Sequence, residues 1–414
     1  MRNLSPVQLA QLREMLRSLD GANPFWTARL RKAGLSADSL NSLSDLRRLP
    51  VLEKGELVAD QAAHPPYGSN LTRPLGEYVR FHQTSGTTGR PMPWLDTAES
   101  WERLCGCWRT IFRLAGVGAG DVLAVPFSFG PFIGFWGAFE AAAGAGMRAL
   151  PMGGLTSEQR LRMLVEHRAT AVCGTPTYML RLLEVAESQG LDLAGSAVRR
   201  VIVAGEPGGN VPAVRRRIEE GFGAAVTDHW GMTDVGAMAV EPADDPGCLV
   251  MLEEDCVAEV LDPETGGDAA DGKVGELVIT NLTRAGMPVL RYRTGDLVRP
   301  EGRHAATGWR RLAGGVLGRS DDMLTVRGMN VFPSAVEALV REDPRVAEFR
   351  MTVTRASSMD RLVVEVEPAA GADGAAVAAS AARRLADGLH FKAEVVAAEN
   401  LPRFELKAKR LVRG

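Results

Sequence analysis

Hydrophobic positions along the chain fall into three regimes. Over residues 1–77 they recur at helical spacing, with Leu9, Leu12, Met15 and Leu16 on one stripe. Asn23-Pro24-Phe25-Trp26 starts a second helix and Ser42-Leu43-Ser44-Asp45-Leu46 a third short one. This lead-in carries packing rather than chemistry. From 78 to about 318 short apolar runs alternate with helical stretches. Val122-Leu123-Ala124-Val125, Met147–Met152, Ala171-Val172-Cys173-Gly174 and Val201-Ile202-Val203-Ala204 read as buried strands, and Ser157–Arg168 as a helix. Two of these strands run into Gly/Pro loops, Thr175-Pro176 and Gly205-Glu206-Pro207. The alternation predicts an α/β architecture. It sets those loops at the carboxyl edge of a sheet, where open α/β sheets take ligands. The tail predicts a βαββαβ-like unit. It has helices over 333–342 and about 374–388, and apolar runs near 349–354, 362–367 and 391–397.

Length and composition narrow the class. A chain of 414 residues exceeds one ordinary core, so two or more domains are expected. A net charge of −3, with no basic cluster, argues against nucleic-acid binding. Five scattered cysteines suit a reduced compartment. Met1-Arg2-Asn3-Leu4-Ser5 leads into polar helix without a signal peptide, so a cytoplasmic protein is expected. The uncharged run from Val122 to Phe139 holds Pro126, Gly130, Pro131, Gly134 and Gly137. Those breakers make it a strand, a loop and a helix start rather than a membrane span.

Four stretches carry candidate chemistry. Thr84-Ser85-Gly86-Thr87-Thr88-Gly89-Arg90 follows the strand-like Tyr78–His82. Its glycines expose backbone N–H groups and its hydroxyls add donors, a combination suited to polyphosphate oxygens. The glycine spacing differs from that of the G-x-x-x-x-G-K-[ST] loop. In Asp228-His229-Trp230-Gly231-Met232-Thr233-Asp234, the aromatic ring can stack on a flat base and Asp234 offers a hard oxygen to Mg²⁺. The bland alternative is a turn before a helix, with Thr233 and Asp234 as cap residues. Thr294-Gly295-Asp296 sets a carboxylate after a turn, where it can accept from vicinal hydroxyls. Gly318-Arg319-Ser320-Asp321 joins the large region to the tail, which ends in Leu406-Lys407-Ala408-Lys409-Arg410.

In this order the four stretches resemble the adenylate-forming acyl/aryl ligase superfamily, and within it the phenylacetate–CoA ligase group. The resemblance covers nearly the whole chain, with His82 and Asn23-Pro24-Phe25-Trp26 included. It implies a large N-terminal adenylate-forming domain of mixed sheets and helices over 1–318. A small mobile C-terminal α+β lid over 319–414 would carry the catalytic lysine. It implies ATP-dependent activation of a carboxylate to an acyl-adenylate with release of pyrophosphate, then displacement of AMP by CoA. Thr84, Ser85, Gly86, Thr87, Thr88 and Gly89 would hold the phosphates. Gly205, Glu206, Pro207, Asp228, His229, Trp230 and Gly231 would line the adenine site. Thr233 would reach the α-phosphate, Asp234 would serve Mg²⁺, and Asp296 with Arg319 would hold the ribose. Lys407 would bridge carboxylate and phosphate oxygens, and Asp321 would be the hinge.

The chain departs from that family at several places. Asp234 stands where Glu is usual, Trp230 for Tyr, Arg90 for Lys and Leu406 for Gly. Many relatives carry a Cys/His cluster suited to zinc in the region matching 242–256. Here Pro242 and Val250 occupy ligand positions and only Cys248 and Cys256 remain, so no structural zinc is expected. The apolar run supplies Phe127, Phe132 and Ile133 to an acyl pocket, with Gly205 and Met232 opposite. An aromatic acid of benzoate or arylacetate type, amino- or hydroxy-substituted, is the expected substrate. Transfer to a carrier-protein thiol or an amine is the alternative within the enzyme class, and a non-catalytic nucleotide binder the alternative outside it. A homodimer is a habit of the resembling group.

Overall fold

A computed structural model of the chain describes residues 4–84, 91–322, 324–326, 329–356, 359–389, 393–404 and 408–413. The chain forms two compact units, one of residues 1–154 with 229–315 and one of 155–228 with 316–414. Among the described residues no helix is long and apolar enough to cross a membrane.

The first unit begins with the helical lead-in. Ser5 caps helix Pro6–Leu19 through a reciprocal box with Gln8, and Asn23 caps helix Pro24–Ala33. Leu12, Leu16, Leu19 and Trp26 are fully buried. The Trp26 indole N–H donates to the Pro288 carbonyl at 3.0 Å, which anchors the second helix. Leu52 donates its N–H to the Arg291 carbonyl and accepts from the Arg293 N–H. The lead-in is therefore stitched to the stretch that precedes Thr294-Gly295-Asp296.

The rest of this unit is built on strands. Tyr78–Gln83 pairs antiparallel with Pro93–Thr97, and Thr97 then caps helix Ala98–Leu114. Val122–Val125 pairs parallel with Arg148–Pro151, the helix Trp136–Gly144 lying between them in sequence. The candidate membrane run is thus a strand, a loop and a helix start. An antiparallel series follows, in which Gly236–Val240 pairs with Cys248–Met251 and Cys248–Met251 with Arg310–Arg319. Cys256–Leu261, Gly275–Asn281 and Tyr292–Arg303 pair in succession.

The second unit joins two segments. Its first contributes the parallel strands Ala171–Gly174 and Arg200–Ala204 with helices Ser157–Glu166, Pro176–Ser188 and Pro212–Phe222. Its second is the tail. Val346–Ala356 pairs antiparallel with Met359–Pro368, and Glu394–Ala397 and Leu411–Arg413 add in parallel on either side. Helices Pro333–Arg341 and Gly374–Leu389 pack through Val336, Val340, Val377, Ala381 and Leu385 onto a core with Phe349, Met351, Val364 and Val366. Strand Ala225–Met232 contributes residues 225–228 to this unit and 229–232 to the other.

Candidate active site

Of the phosphate-loop residues, Ser85, Gly86, Thr87, Thr88, Gly89 and the following Arg90 lie outside the described residues. Thr84 is buried at the base of the loop. Its N–H donates to the Met92 carbonyl at 3.0 Å, and its hydroxyl accepts from the Met92 N–H at 3.0 Å. Two residues earlier, His82 stacks on Trp101 with ring centroids 5.1 Å apart. Burial pushes its imidazole down to about 4.

The second stretch ends one strand and starts another. Residues through Met232 pair antiparallel with Gly236–Val240, and Thr233, Asp234 and Val235 form the turn. Strands on both sides replace the helix of the bland alternative. Gly231 sits where an added Cβ would stand 2.6 Å from the Gly236 carbonyl oxygen, so the close approach requires glycine. The turn is held from outside by its carbonyls. Arg284 donates to the carbonyls of Thr233 and Asp234 at 2.6 and 3.1 Å, and the Asn281 amide donates to that of Val235. Arg284 is itself fully buried and makes a two-point ion pair with Asp96, at 2.7 and 2.9 Å.

Trp230 and Asp296 meet in this unit. The indole N–H donates to Asp296 Oδ2 at 2.9 Å, and both residues are buried. Asp296 is placed by its own N–H, which donates to the Thr294 hydroxyl at 3.0 Å, while that hydroxyl donates to the Leu277 carbonyl at 2.8 Å. Asp234 is buried in the same unit, and the Tyr292 hydroxyl donates to its Oδ1 at 2.9 Å. A lone hard carboxylate suits a magnesium ion that arrives with phosphate and water ligands of its own. Among the described residues no group of three or more His, Cys, Asp or Glu side chains is placed to hold a metal ion. Cys248 accepts from Arg311, and the Cys256 thiol donates to the Leu252 carbonyl.

The aromatic run forms a connected set of rings. Phe127 is half-buried and meets Phe129 and Phe135 edge-on at centroid distances of 5.6 and 5.8 Å. Phe135 continues to Trp108, and Trp108 to His229 at 4.6 Å. Phe132, Ile133 and Met232 are half-buried. His229 Nδ1 lies 2.7 Å from the Ala239 carbonyl oxygen. A carbonyl only accepts, so Nδ1 carries the proton. Burial pushes this imidazole down to about 4, which keeps it neutral.

The remaining candidates lie in the second unit. Gly205 turns the chain at a φ of 94° after strand Arg200–Ala204. Glu206 turns its carboxylate to backbone N–H groups, taking that of Thr177 at 2.8 Å and that of Ala408 at 2.7 Å. Pro207 is exposed. Asp228 accepts from the Asn210 amide at 2.5 Å. Arg319 pairs at two points with Asp321, each at 2.8 Å. Lys407 and Leu406 lie outside the described residues.

Arg284, Asn281 and Tyr292 contact the candidate residues of the Thr233–Val235 turn, and Asp96 pairs with Arg284, without any of them having been singled out from the sequence. Arg284 and Asp96 are 188 positions apart. Neither sits in a motif whose spacing signals a pair. Tyr292 stood in view, two residues before Thr294, with no sequence sign that its hydroxyl reaches Asp234.

Comparison with known proteins gives a consistent picture. The family described as AMP-binding enzyme matches residues 71–284, and the AMP-binding enzyme C-terminal domain matches 328–413. A phenylacetate–coenzyme A ligase of Aromatoleum evansii is 34% identical over 375 residues, covering 88% of this chain and 81% of that protein. A crystal structure of a 2-hydroxyisobutyryl-CoA ligase in the postadenylation state, with its acyl-AMP, matches at a TM-score of 0.92 and 30% identity. It covers 98% of this chain and 88% of that one. The same ligase in its thioesterification state with CoA matches at 0.73 and 32%, again over 98% and 88%.

Proposed function

The chain belongs to the AMP-binding enzyme family, and we propose from that premise that it couples an aromatic carboxylic acid to CoA through an acyl-adenylate. At the coarser level it is an AMP-forming acid–CoA ligase with an α/β adenylate-forming fold, and ATP and CoA are its co-substrates. The observation that supports the adenylate step is the Trp230–Asp296 pair together with the Asp234–Tyr292 pair, all within one unit. A stacking surface, a carboxylate for vicinal hydroxyls and a carboxylate for magnesium are the parts a bound Mg·ATP needs.

A carboxylate is a poor electrophile until its oxygen joins a good leaving group. Attack on the α-phosphate supplies that group, and positioning with charge neutralisation lowers its barrier. In this reading Thr84–Gly89 take the outer phosphates, Thr233 the α-phosphate and Asp296 the ribose. Trp230 and Gly231 flank the base. Asp234 would hold the magnesium of Mg·ATP, whose charge would offset that of the phosphates. Lys407 neutralises the oxygens between acid and phosphate. Residues 319–414 then act as the lid, turning about Asp321 between the half-reactions. The ring set from Phe127 to Phe135, with Phe132, Ile133 and Met232, favours a flat aromatic acid. The likeness to a 2-hydroxyisobutyryl-CoA ligase makes a small branched hydroxy acid the competing substrate.

Product mass spectrometry tests the proposal, with ATP, Mg²⁺ and a panel of aromatic, aliphatic and small hydroxy acids, each with and without CoA. An aryl-CoA with AMP is the expected product. Preference for a non-aromatic acid overturns the aromatic reading. An aryl-adenylate that persists with CoA present moves the acceptor to a carrier thiol or an amine. Lys407→Ala should abolish pyrophosphate release with the fold intact, because this charge acts in the transition state.

A further inference from the structure

One carboxylate in the second unit ties together two segments far apart in sequence. Glu206 sits in the turn after strand Arg200–Ala204. Its Oε1 accepts from the Thr177 N–H at 2.8 Å and its Oε2 from the Ala408 N–H at 2.7 Å. Thr177 is the second residue of helix Pro176–Ser188, where a backbone N–H has no partner inside the helix. The cap residue Thr175 accepts from Tyr178 instead, so Glu206 takes a donor that the cap leaves over. A negative charge at this helix end is also favoured by the helix dipole.

The same place is gripped a second time, two residues further on. Arg410 is buried, and it donates to both oxygens of Glu348 at 2.7 and 3.1 Å and to Glu337 at 3.2 Å. It also donates to the Thr177 hydroxyl at 3.3 Å, and its carbonyl accepts from the Met351 N–H at 2.7 Å. Residues 408 and 410 are thus fixed by backbone and side chain, while the intervening Lys409 is exposed. Ala408 directly follows Lys407.

We propose that Glu206 is a positioning residue that latches the 408–410 segment onto helix Pro176–Ser188, and so sets Lys407 for adenylation but not for thioester formation. This rests on the ligase reading and on the role of Lys407 within it. A carboxylate accepting two N–H bonds gives a strong contact when both donors are present. A single carboxylate is also easily released as a unit when the segment departs. The side chain of Glu206 thereby has a task distinct from the adenine contact that the resemblance assigns to its motif.

The test compares full-length wild type with Glu206→Ala and Glu206→Gln, and uses Lys407→Ala as reference. Three quantities are read: ATP–pyrophosphate exchange, single-turnover thioester formation from supplied acyl-adenylate and CoA, and hydrogen–deuterium exchange of amides 408–413. Glu206→Ala should lower the exchange kcat by about 30-fold, as expected for loss of charge-assisted hydrogen bonds, with the KM for ATP within about 3-fold. Thioester formation should stay within about 3-fold and Tm within about 2 °C. Glu206→Gln keeps one acceptor oxygen and should fall between. Amides 408–413 should exchange faster in Glu206→Ala. An equal loss in both half-reactions, or unchanged exchange at 408–413, overturns the latch. If wild type turns over no acid in the panel, the ligase reading fails, and deuterium exchange alone still decides whether Glu206 holds the segment.

Discussion

Trp230 donates its indole N–H to the Asp296 carboxylate across 2.9 Å, joining the proposed base-stacking residue to the proposed ribose acceptor. The usual Tyr of the resembling family brings a hydroxyl at the end of its ring, whereas Trp230 brings a donor on its flank. A hydrogen bond to a charged group is worth about 1.5–3 kcal/mol. Trp230→Phe keeps the stacking face and deletes the donor. It should weaken binding of a non-hydrolysable acyl-adenylate analogue by about 10-fold, read by calorimetry. Unchanged affinity would leave the indole with stacking alone.

Arg284 and Asp96 form an ion pair with no exposed surface on either side chain. Removing one partner strands the other charge, which costs about 3–5 kcal/mol. Arg284→Met should therefore lower Tm on the order of 10 °C and loosen the Thr233–Val235 turn whose carbonyls it holds. The double variant Asp96→Leu/Arg284→Met should regain part of the stability but not the activity. Thermal melts paired with pyrophosphate exchange separate the two effects.

Stability should fall on acidification. His82 and His229 are held neutral by burial, each pushed down to about 4. The unfolded chain takes up protons near the ordinary value of about 6.5. It therefore binds more protons than the folded chain between these values, and stability is lost as pH falls from about 6.5 towards 4. At pH 5 the loss is about 2 kcal/mol per histidine. Asp255 works in the opposite sense, since burial raises its carboxyl to about 6. Urea titrations at pH 8 and pH 5 should show the drop. His82→Gln and His229→Gln should shrink it, and Asp255→Asn should steepen it.

Tyr292 holds one oxygen of Asp234 at 2.9 Å. If Asp234 serves the magnesium of Mg·ATP, this hydroxyl sets the direction in which the shorter Asp arm points. Tyr292→Phe should raise the Mg²⁺ concentration for half-maximal pyrophosphate exchange by about 5-fold, in line with one lost hydrogen bond. Calorimetry of ATP binding with and without Mg²⁺ should show the same dependence. A variant with unaltered magnesium dependence would assign the pair to packing.

Local pattern made much of this legible. The strands Val122–Val125, Ala171–Gly174 and Arg200–Ala204 announce themselves as short apolar runs closed by Gly or Pro. The tail's helices and strands follow their periodicity, because each needs one apolar face for its own small core. The turn at Thr233–Val235 was less readable, since a polar pair after glycine also suits a helix cap. What decides it is the antiparallel strand that begins at Gly236, together with the close approach at Gly231. Arg284 was not readable at all. Its partner lies 188 positions away, and a charge inside a fold looks in sequence like a charge on its surface. Glu206 was legible as part of a loop, but its bond to Ala408 spans 202 positions and has no local signature. The phosphate-loop residues 85–90 rest on their glycine and hydroxyl pattern and on the resemblance, and Lys407 on the resemblance alone.

The stitching of the lead-in has a consequence for biosynthesis. Leu52 exchanges backbone hydrogen bonds with Arg291 and Arg293, and the Trp26 indole donates to the Pro288 carbonyl, so each waits for partners about 240–260 residues downstream. On the ribosome the first helices emerge long before those partners exist, and they must stay uncommitted while most of the chain is made. At synthesis rates of about 5–20 residues per second, that interval is on the order of tens of seconds. A truncated chain that ends before residue 288 lacks the carbonyl to which the Trp26 indole donates and the residues with which Leu52 pairs.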